Sequence, residues 1–221
     1  MIGYLQAVAG VSSHAAFVRA CGRESEYNLA SPYDMESAPA FSSGPPVKNA
    51  GRFPPHVRAA FIAAALVIEA SGRTYPDGES GETAILTAGY DPTLQVNLDF
   101  FKDYLDAGRT MGRGNLFIYT LPTGAACEVS IHFGLKGPAL FIEPETAPLA
   151  GALDAAESAL EGGEITQVLL LWQDCADTFC IAAGPRLPGA KPLCSIADLR
   201  RRASVWQRPL EAVRHFKPVA P

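Results

Sequence analysis

The sequence has no Gly-x-Gly-x-x-Gly after its first apolar run, where Ala9-Gly10 is the nearest approach. The phosphate-cradling turn of a dinucleotide oxidoreductase is therefore missing. There is no Gly-Lys-Ser/Thr phosphate loop and no Gly-x-Ser-x-Gly elbow, which weighs against a nucleotide hydrolase and an ordinary esterase. Positive charge is scarce: 18 Lys and Arg face 23 Asp and Glu, a net charge of −5. A nucleic-acid binder would show a basic face, and the only dense basic cluster is Arg200-Arg201-Arg202, read as a solvated surface. No apolar run approaches the roughly 20 residues of a bilayer span, and the N-terminus lacks the pattern of a signal peptide. The five cysteines are odd in number and unpatterned, which fits reduced thiols in a cytoplasmic protein better than a disulfide framework. Cys175, Cys180 and Cys194 lack metal-ligand spacing and the four histidines are scattered, so neither a metal nor a cofactor is expected.

What is present is a globular chain of 221 residues, 48% hydrophobic and 19% charged. It is long enough to bury a substantial core. Apolar runs at Ile2 to Ser12, Thr83 to Ala88, Ala139 to Ile142, Gln167 to Gln173 and Phe179 to Ala183 predict strands. Pro138 and Pro144 bound the third of these as a short buried strand, since proline cannot donate to a ladder. Asn115 to Leu121 is β-rich and reads as a further strand. Pro54-Pro55 opens a helix stopped by Gly72. Leu94, Leu98, Phe101 and Leu105 fall on one face of a helix near Thr93 to Ala107. Ala126, Val129 and Phe133 form a short helix face closed by Gly134, within which Cys127 reads as a small core residue. Thr146, Ala147 and Pro148 start a long helix, with Leu149, Leu153, Ala156 and Leu160 on one face, ended by Gly162-Gly163. Ala15 to Cys21 predicts helical turns, and Ile196 to Ala203 is the one element expected late in the chain.

The alternation of strands and helices implies a mostly parallel central sheet with helices on both faces. The expected organisation is one domain over 1–183, with a surface excursion at 24–51 and an irregular tail at 184–221.

Phe117-Ile118-Tyr119-Thr120-Leu121-Pro122, then Ser130-Ile131-His132-Phe133-Gly134-Leu135-Lys136-Gly137-Pro138, the helix Leu149 to Leu160 and the strand Gln167 to Trp172 resemble the N-terminal half of β-ketoacyl synthases. The resemblance runs from about Arg52 to Ala183 and lies nearest the short ketosynthase-like N-terminal proteins related to chain-length factors. It implies a thiolase-like half, with the C-terminal half of a full ketosynthase missing. In catalytic relatives the nucleophilic cysteine stands nine residues after the Gly of Gly-Pro, at the start of a buried helix. There the helix dipole favours the thiolate. The same count from Gly137 reaches Thr146, and no cysteine lies between Cys127 and Cys175. A threonine hydroxyl is not ionised near neutral pH, so Thr146 reads as a helix cap at a vestigial nucleophile position. The two C-terminal histidines of the family are also unmatched, since His215 is the only histidine after His132.

The resemblance thus implies a subunit that does not catalyse condensation by itself. It would pair with a full-length ketosynthase and meet acyl carrier protein through that complex, in bacterial fatty-acid or polyketide synthesis such as aryl-polyene assembly. In the family, the stretch matching Thr120, Leu121 and Pro122 lies at the dimer contact beside the closed end of the acyl pocket. Leu121 is then a candidate ruler for chain length, with an ordinary core role as its alternative. Two other readings remain open: a small acyltransferase or thioesterase using Cys127 or Thr146, and a stand-alone acyl or CoA-binding module.

Overall fold

The structure is a computed structural model that describes residues 3–38, 46–72, 82–90, 92–110, 112–143, 147–174, 177–186 and 191–216. Its strands are β1 (Tyr4–Ser12), β2 (Ala15–Ala20), β3 (Arg23–Asn28), β4 (Thr83–Ala88), β5 (Ala139–Ile142), β6 (Gln167–Gln173) and β7 (Thr178–Gly184). Its helices are α1 (Pro55–Ala70), α2 (Leu94–Asp106), α3 (Gly114–Phe117), α4 (Gly124–Phe133), α5 (Pro148–Glu161), α6 (Ile196–Ala203) and α7 (Pro209–Phe216). One sheet runs in the order β3-β2-β1-β7-β6-β4-β5.

That sheet is only partly parallel, which corrects the mostly parallel expectation. β4 runs parallel to β5 and β6, and every other pairing is antiparallel. Connection length explains the division. Helices separate β4 from β5 and β5 from β6, so those strands cross over and align. Two-residue turns join β1 to β2 and β2 to β3, and a short turn held by Asp174 joins β6 to β7.

The sheet is covered on both faces. Alternate residues of the inner strands divide between two cores. Ile85, Leu169, Leu171, Cys180 and Ala182 join α1 and α4 on one face. Leu86, Leu170, Trp172, Phe179 and Ile181 join α5, α6 and α7 on the other. A register shift between Leu5 and Ala7 resets the alternation, so Leu5 and Val8 share the second face.

Three further expectations change. Ala15 to Cys21 is not helical: its first six residues form β2, hydrogen-bonded to a strand on each side. Tertiary pairing overrides the helix preference of its alanines. The 24–51 excursion begins as strand, because β3 pairs with β2 along its full length. Its Arg-Glu-Ser-Glu-Tyr-Asn sequence is polar because it is an edge. The tail after Gly184 is not irregular. Ser195 caps α6, accepting from the Asp198 amide at 3.0 Å. Ile196, Leu199, Ala203, Ala212, Val213 and Phe216 then close the second core.

Candidate partner interface

Eleven large hydrophobic residues are exposed among the described residues, and all but Val205 lie between Tyr90 and Leu140. This segment leaves the sheet at β4 and returns at β5. Within it α2 behaves unlike an ordinary amphipathic helix. Leu94, Leu98, Phe101 and Leu105, the stripe that should face a core, are 53, 55, 58 and 40% exposed, and only Val96 is buried. The helix is held largely by its polar side. Asn97 Nδ2 donates to Thr93 O at 3.0 Å, to Thr93 Oγ1 at 3.1 Å and to Thr120 O at 3.3 Å. Arg113 pairs with Asp103 at 2.8 Å, and the Phe100 and Phe117 rings meet at 5.7 Å.

The expected strand at Asn115 to Leu121 is α3 followed by a 3-10 turn at Ile118–Thr120. Its amides bond locally, with Leu116 and Phe117 donating to Arg113 O, so no neighbouring strand is engaged. Phe117 and Ile118 are each 51% exposed. The 3-10 turn packs against α2 and α4, and α4 against β5. The apolar side chains therefore stand on elements that touch in series.

β5 stands at the end of this series. Its apolar sequence predicts burial, yet it is the edge of the sheet and pairs only with β4 among the described residues. Leu140 is half exposed, and the Leu140 carbonyl accepts from Thr87 Oγ1 at 3.0 Å. The Ala-Leu-Phe-Ile strand carries no charge, no proline and no bulge that would turn a docking strand away.

The Phe-Gly-Leu-Lys-Gly-Pro motif positions β5. Gly134 takes φ 66° to end α4, a conformation other residues adopt only with strain. At Gly137 an added Cβ would stand 2.2 Å from Thr83 O, so only glycine lets this turn reach the start of β4. Pro138 O then accepts from the Ile85 amide at 2.8 Å, setting the β4–β5 register.

Of the site residues expected from sequence, Thr120 is buried and its Oγ1 donates to Phe117 O at 2.7 Å. Leu121 is 47% exposed, so the ordinary core reading fails for it. Pro122 is half-buried beside it. Thr146 lies outside the described residues, as do Pro144 and Cys175. The cap position of α5 belongs to Ala147, whose side chain makes no capping bond. Cys127 is exposed on α4, not in the core. Cys180 is buried, which pushes its thiol up and keeps it protonated. His132 packs edge-on to Phe61 at 5.1 Å and Phe133 at 4.8 Å, and burial lowers its pKa. His215 meets Trp206 and Phe216 on the other face of the sheet, so the two do not gather into a site. His56 is buried at the start of α1, where its carbonyl accepts from Gln173 at 2.9 Å. Burial pushes its imidazole down to about 4, and its Nε2 has no partner among the described residues. No group of three or more His, Cys, Asp or Glu stands together as a metal site among the described residues. No helix among them is long and apolar enough to cross a membrane.

Sequence periodicity locates the α2 stripe but assigns it to this chain's own core. The missing signal is a complementary apolar face within the same chain, and among the described residues the stripe stays exposed.

No family model matches the sequence, and no curated protein matches it. Solved structures do. The chain superposes on the ishigamide ketosynthase/chain length factor with a TM-score of 0.65 at 14% identity, covering 87% of this chain and 65% of that one. It superposes on one chain of the structure of the ketosynthase ApeO in complex with its chain length factor ApeC from Xenorhabdus doucetiae with a TM-score of 0.52 at 11% identity, covering 75% of this chain and 76% of that one. A β-ketoacyl synthase from Burkholderia phymatum STM815 gives 0.55 at 14% identity, covering 84% and 59%. The chain thus has the thiolase-like fold of ketosynthases and chain length factors, and spans less than two thirds of the first and third of these proteins.

Proposed function

We propose that the chain is a non-catalytic, chain-length-factor-like subunit that pairs with a full-length β-ketoacyl-ACP synthase. The observation that carries this reading is the open, uncharged β5 edge together with the exposed stripe of α2, joined in series through the 3-10 turn and α4. A monomeric protein seldom leaves such a surface to water, and a partner strand added to β5 would satisfy the free backbone groups while α2 and the 3-10 turn bury their side chains. Two of the superposed structures carry a ketosynthase and a chain length factor in their descriptions. A cysteine-free run from Glu128 to Asp174 spans the start of α5, where a nucleophile would stand. The catalytic groups would then come from the partner, and acyl carrier protein would deliver acyl groups to the pair.

Leu121, exposed at the end of the 3-10 turn, would reach the partner's acyl pocket and limit chain length there. Each methylene it excludes is worth on the order of 0.8 kcal/mol of burial. Bacterial polyketide or fatty-acid synthesis in the cytoplasm, including aryl-polyene assembly, is the setting this implies.

The test is co-expression with a full-length ketosynthase from the same organism. The pair should purify together at equal stoichiometry and condense acyl and malonyl carrier-protein substrates, while this chain alone does neither. If it purifies alone as a stable monomer, ignores the ketosynthase and hydrolyses acyl thioesters, the reading is wrong.

A further inference from the structure

At the opposite end of β1 from the β1–β2 turn, a cavity of about 330 Å³ opens between Tyr4, the end of α1 and the segments flanking α6 and β7. Its volume is that of a small-ligand site. Three cations line it: Arg23 opens β3, Arg186 follows β7, and Lys191 precedes α6. They come from three separate parts of the chain. None of the three forms an ion pair among the described residues, whereas Arg19 pairs with Glu24 at 3.4 Å, Arg113 with Asp103, and Arg200 with Asp154 and Glu157. No acidic residue lines the cavity among the described residues, in a chain whose net charge is −5. An adjoining concavity of about 400 Å³ shares Ala20, Cys21, Arg23, Lys191 and Pro192, and adds Arg19 with its paired Glu24.

The walls are fixed by the sheet. Gln6 Nε2 donates to Pro185 O at 3.2 Å and its Oε1 accepts from Gln167 at 3.1 Å, which ties the residue before Arg186 to β1 and β6. Leu193 donates to Leu5 O at 3.0 Å, and Leu5 to Cys194 O at 2.9 Å, which ties the segment after Lys191 to β1. The C-terminus of α1 contributes roughly half a unit of negative charge at this end. One cation offsets that, and three leave the cavity positive.

We propose that Arg23, Arg186 and Lys191 bind the phosphate groups of a phosphorylated small molecule in this cavity. Two guanidinium forks and an ammonium match the several oxygens of a phosphate or diphosphate better than a single carboxylate. Tyr4 and the apolar lining from Ala20, Ala70 and Pro192 would take the organic part. The site is independent of the β5 surface and of the ketosynthase reading.

The full chain is titrated with adenosine diphosphate and with inorganic pyrophosphate at low salt, by calorimetry and by the rate of Cys21 alkylation. Cys127, exposed but lining neither concavity, is the internal control. Saturable binding should slow alkylation of Cys21 and leave Cys127 unchanged. The Arg186→Gln/Lys191→Gln double variant should weaken binding about a hundredfold, at about tenfold per cation, while Lys102→Gln on α2 should not. Absence of saturable binding by either probe, equal affinity in the double variant, or equal loss in Lys102→Gln overturns the proposal. Protection of Cys21 by polyglutamate but by neither phosphate probe also overturns it and marks an acidic-protein surface instead.

Discussion

The two edges of the sheet are built in opposite ways. β3 presents Arg, Glu, Ser, Glu, Tyr and Asn, with Arg23, Glu24 and Glu26 charged along it. β5 presents Ala, Leu, Phe and Ile. Charge on an edge strand discourages a second strand from docking, and its absence invites one. The surroundings repeat the contrast. Beside β3, Arg19 and Glu24 pair in solvent, whereas β5 packs on α4, which the 3-10 turn links to α2 with its exposed stripe. One edge is charged and finished within the chain; on the proposed reading the other is left for a partner.

The largest expected effect comes from making β5 resemble β3. Leu140→Asp should weaken pairing with the ketosynthase about a thousandfold, because a carboxylate would be buried unpaired at the junction. Its effect on the melting of the chain alone should be small, since Leu140 is half exposed there. Pull-down and thermal melting of the same variant measure both.

Acid should destabilise the chain independently of either edge. Burial holds the His56 imidazole down at about 4 against an ordinary value of 6.5, so the unfolded chain takes up the proton first as pH falls. Stability is full above about pH 6.5, declines between 6.5 and 4, and the loss is complete below about 4. The whole loss is on the order of 3 kcal/mol. His56→Leu should flatten that slope in urea titrations across this range. Pairing experiments are therefore best read above about pH 7, where acid unfolding does not mimic a broken interface.

On α2, Phe101→Glu and Leu98→Glu should each weaken pairing about tenfold to a hundredfold while leaving the melting temperature of the isolated chain nearly unchanged. Phe61→Ala in the first core reverses the pattern, costing about 3–5 kcal/mol of stability. Smaller still is the converse change at the other edge. Glu24→Val with Glu26→Val should turn β3 into a weakly self-associating edge, seen as concentration-dependent sedimentation. Leu121→Ala and Leu121→Phe should leave pairing within a few-fold and shift product length, longer and shorter respectively, by mass spectrometry of the pair's products.

Much of the fold is legible in the sequence because local pattern and local punctuation agree. Thr83–Ala88, Gln167–Gln173 and Ile196–Ala203 fall where their apolar periods place them, and α1 and α5 begin at proline and stop at glycine. β2 and β3 are hidden, since Ala-Ala-Phe-Val-Arg-Ala and Arg-Glu-Ser-Glu-Tyr-Asn become strands only by pairing with each other and with β1. The α7 helix is hidden in a Pro- and Arg-rich stretch whose apolar face, Ala212, Val213 and Phe216, makes sense only against β1 and β7. For the interface, periodicity reveals the α2 stripe but not its direction. Leucines and phenylalanine at helical spacing say that a helix has an apolar side. Only the arrangement of complementary faces in three dimensions tells whether the matching side belongs to the same chain.

Hydrogen exchange of both edges, with and without the ketosynthase, tests this most directly. The amides of Ala139–Ile142 and the backbone of α2 should gain protection on mixing, while β3 stays unchanged. Protection of β3 with β5 unaltered, or no change at either edge in a mixture that contains active ketosynthase, would contradict it.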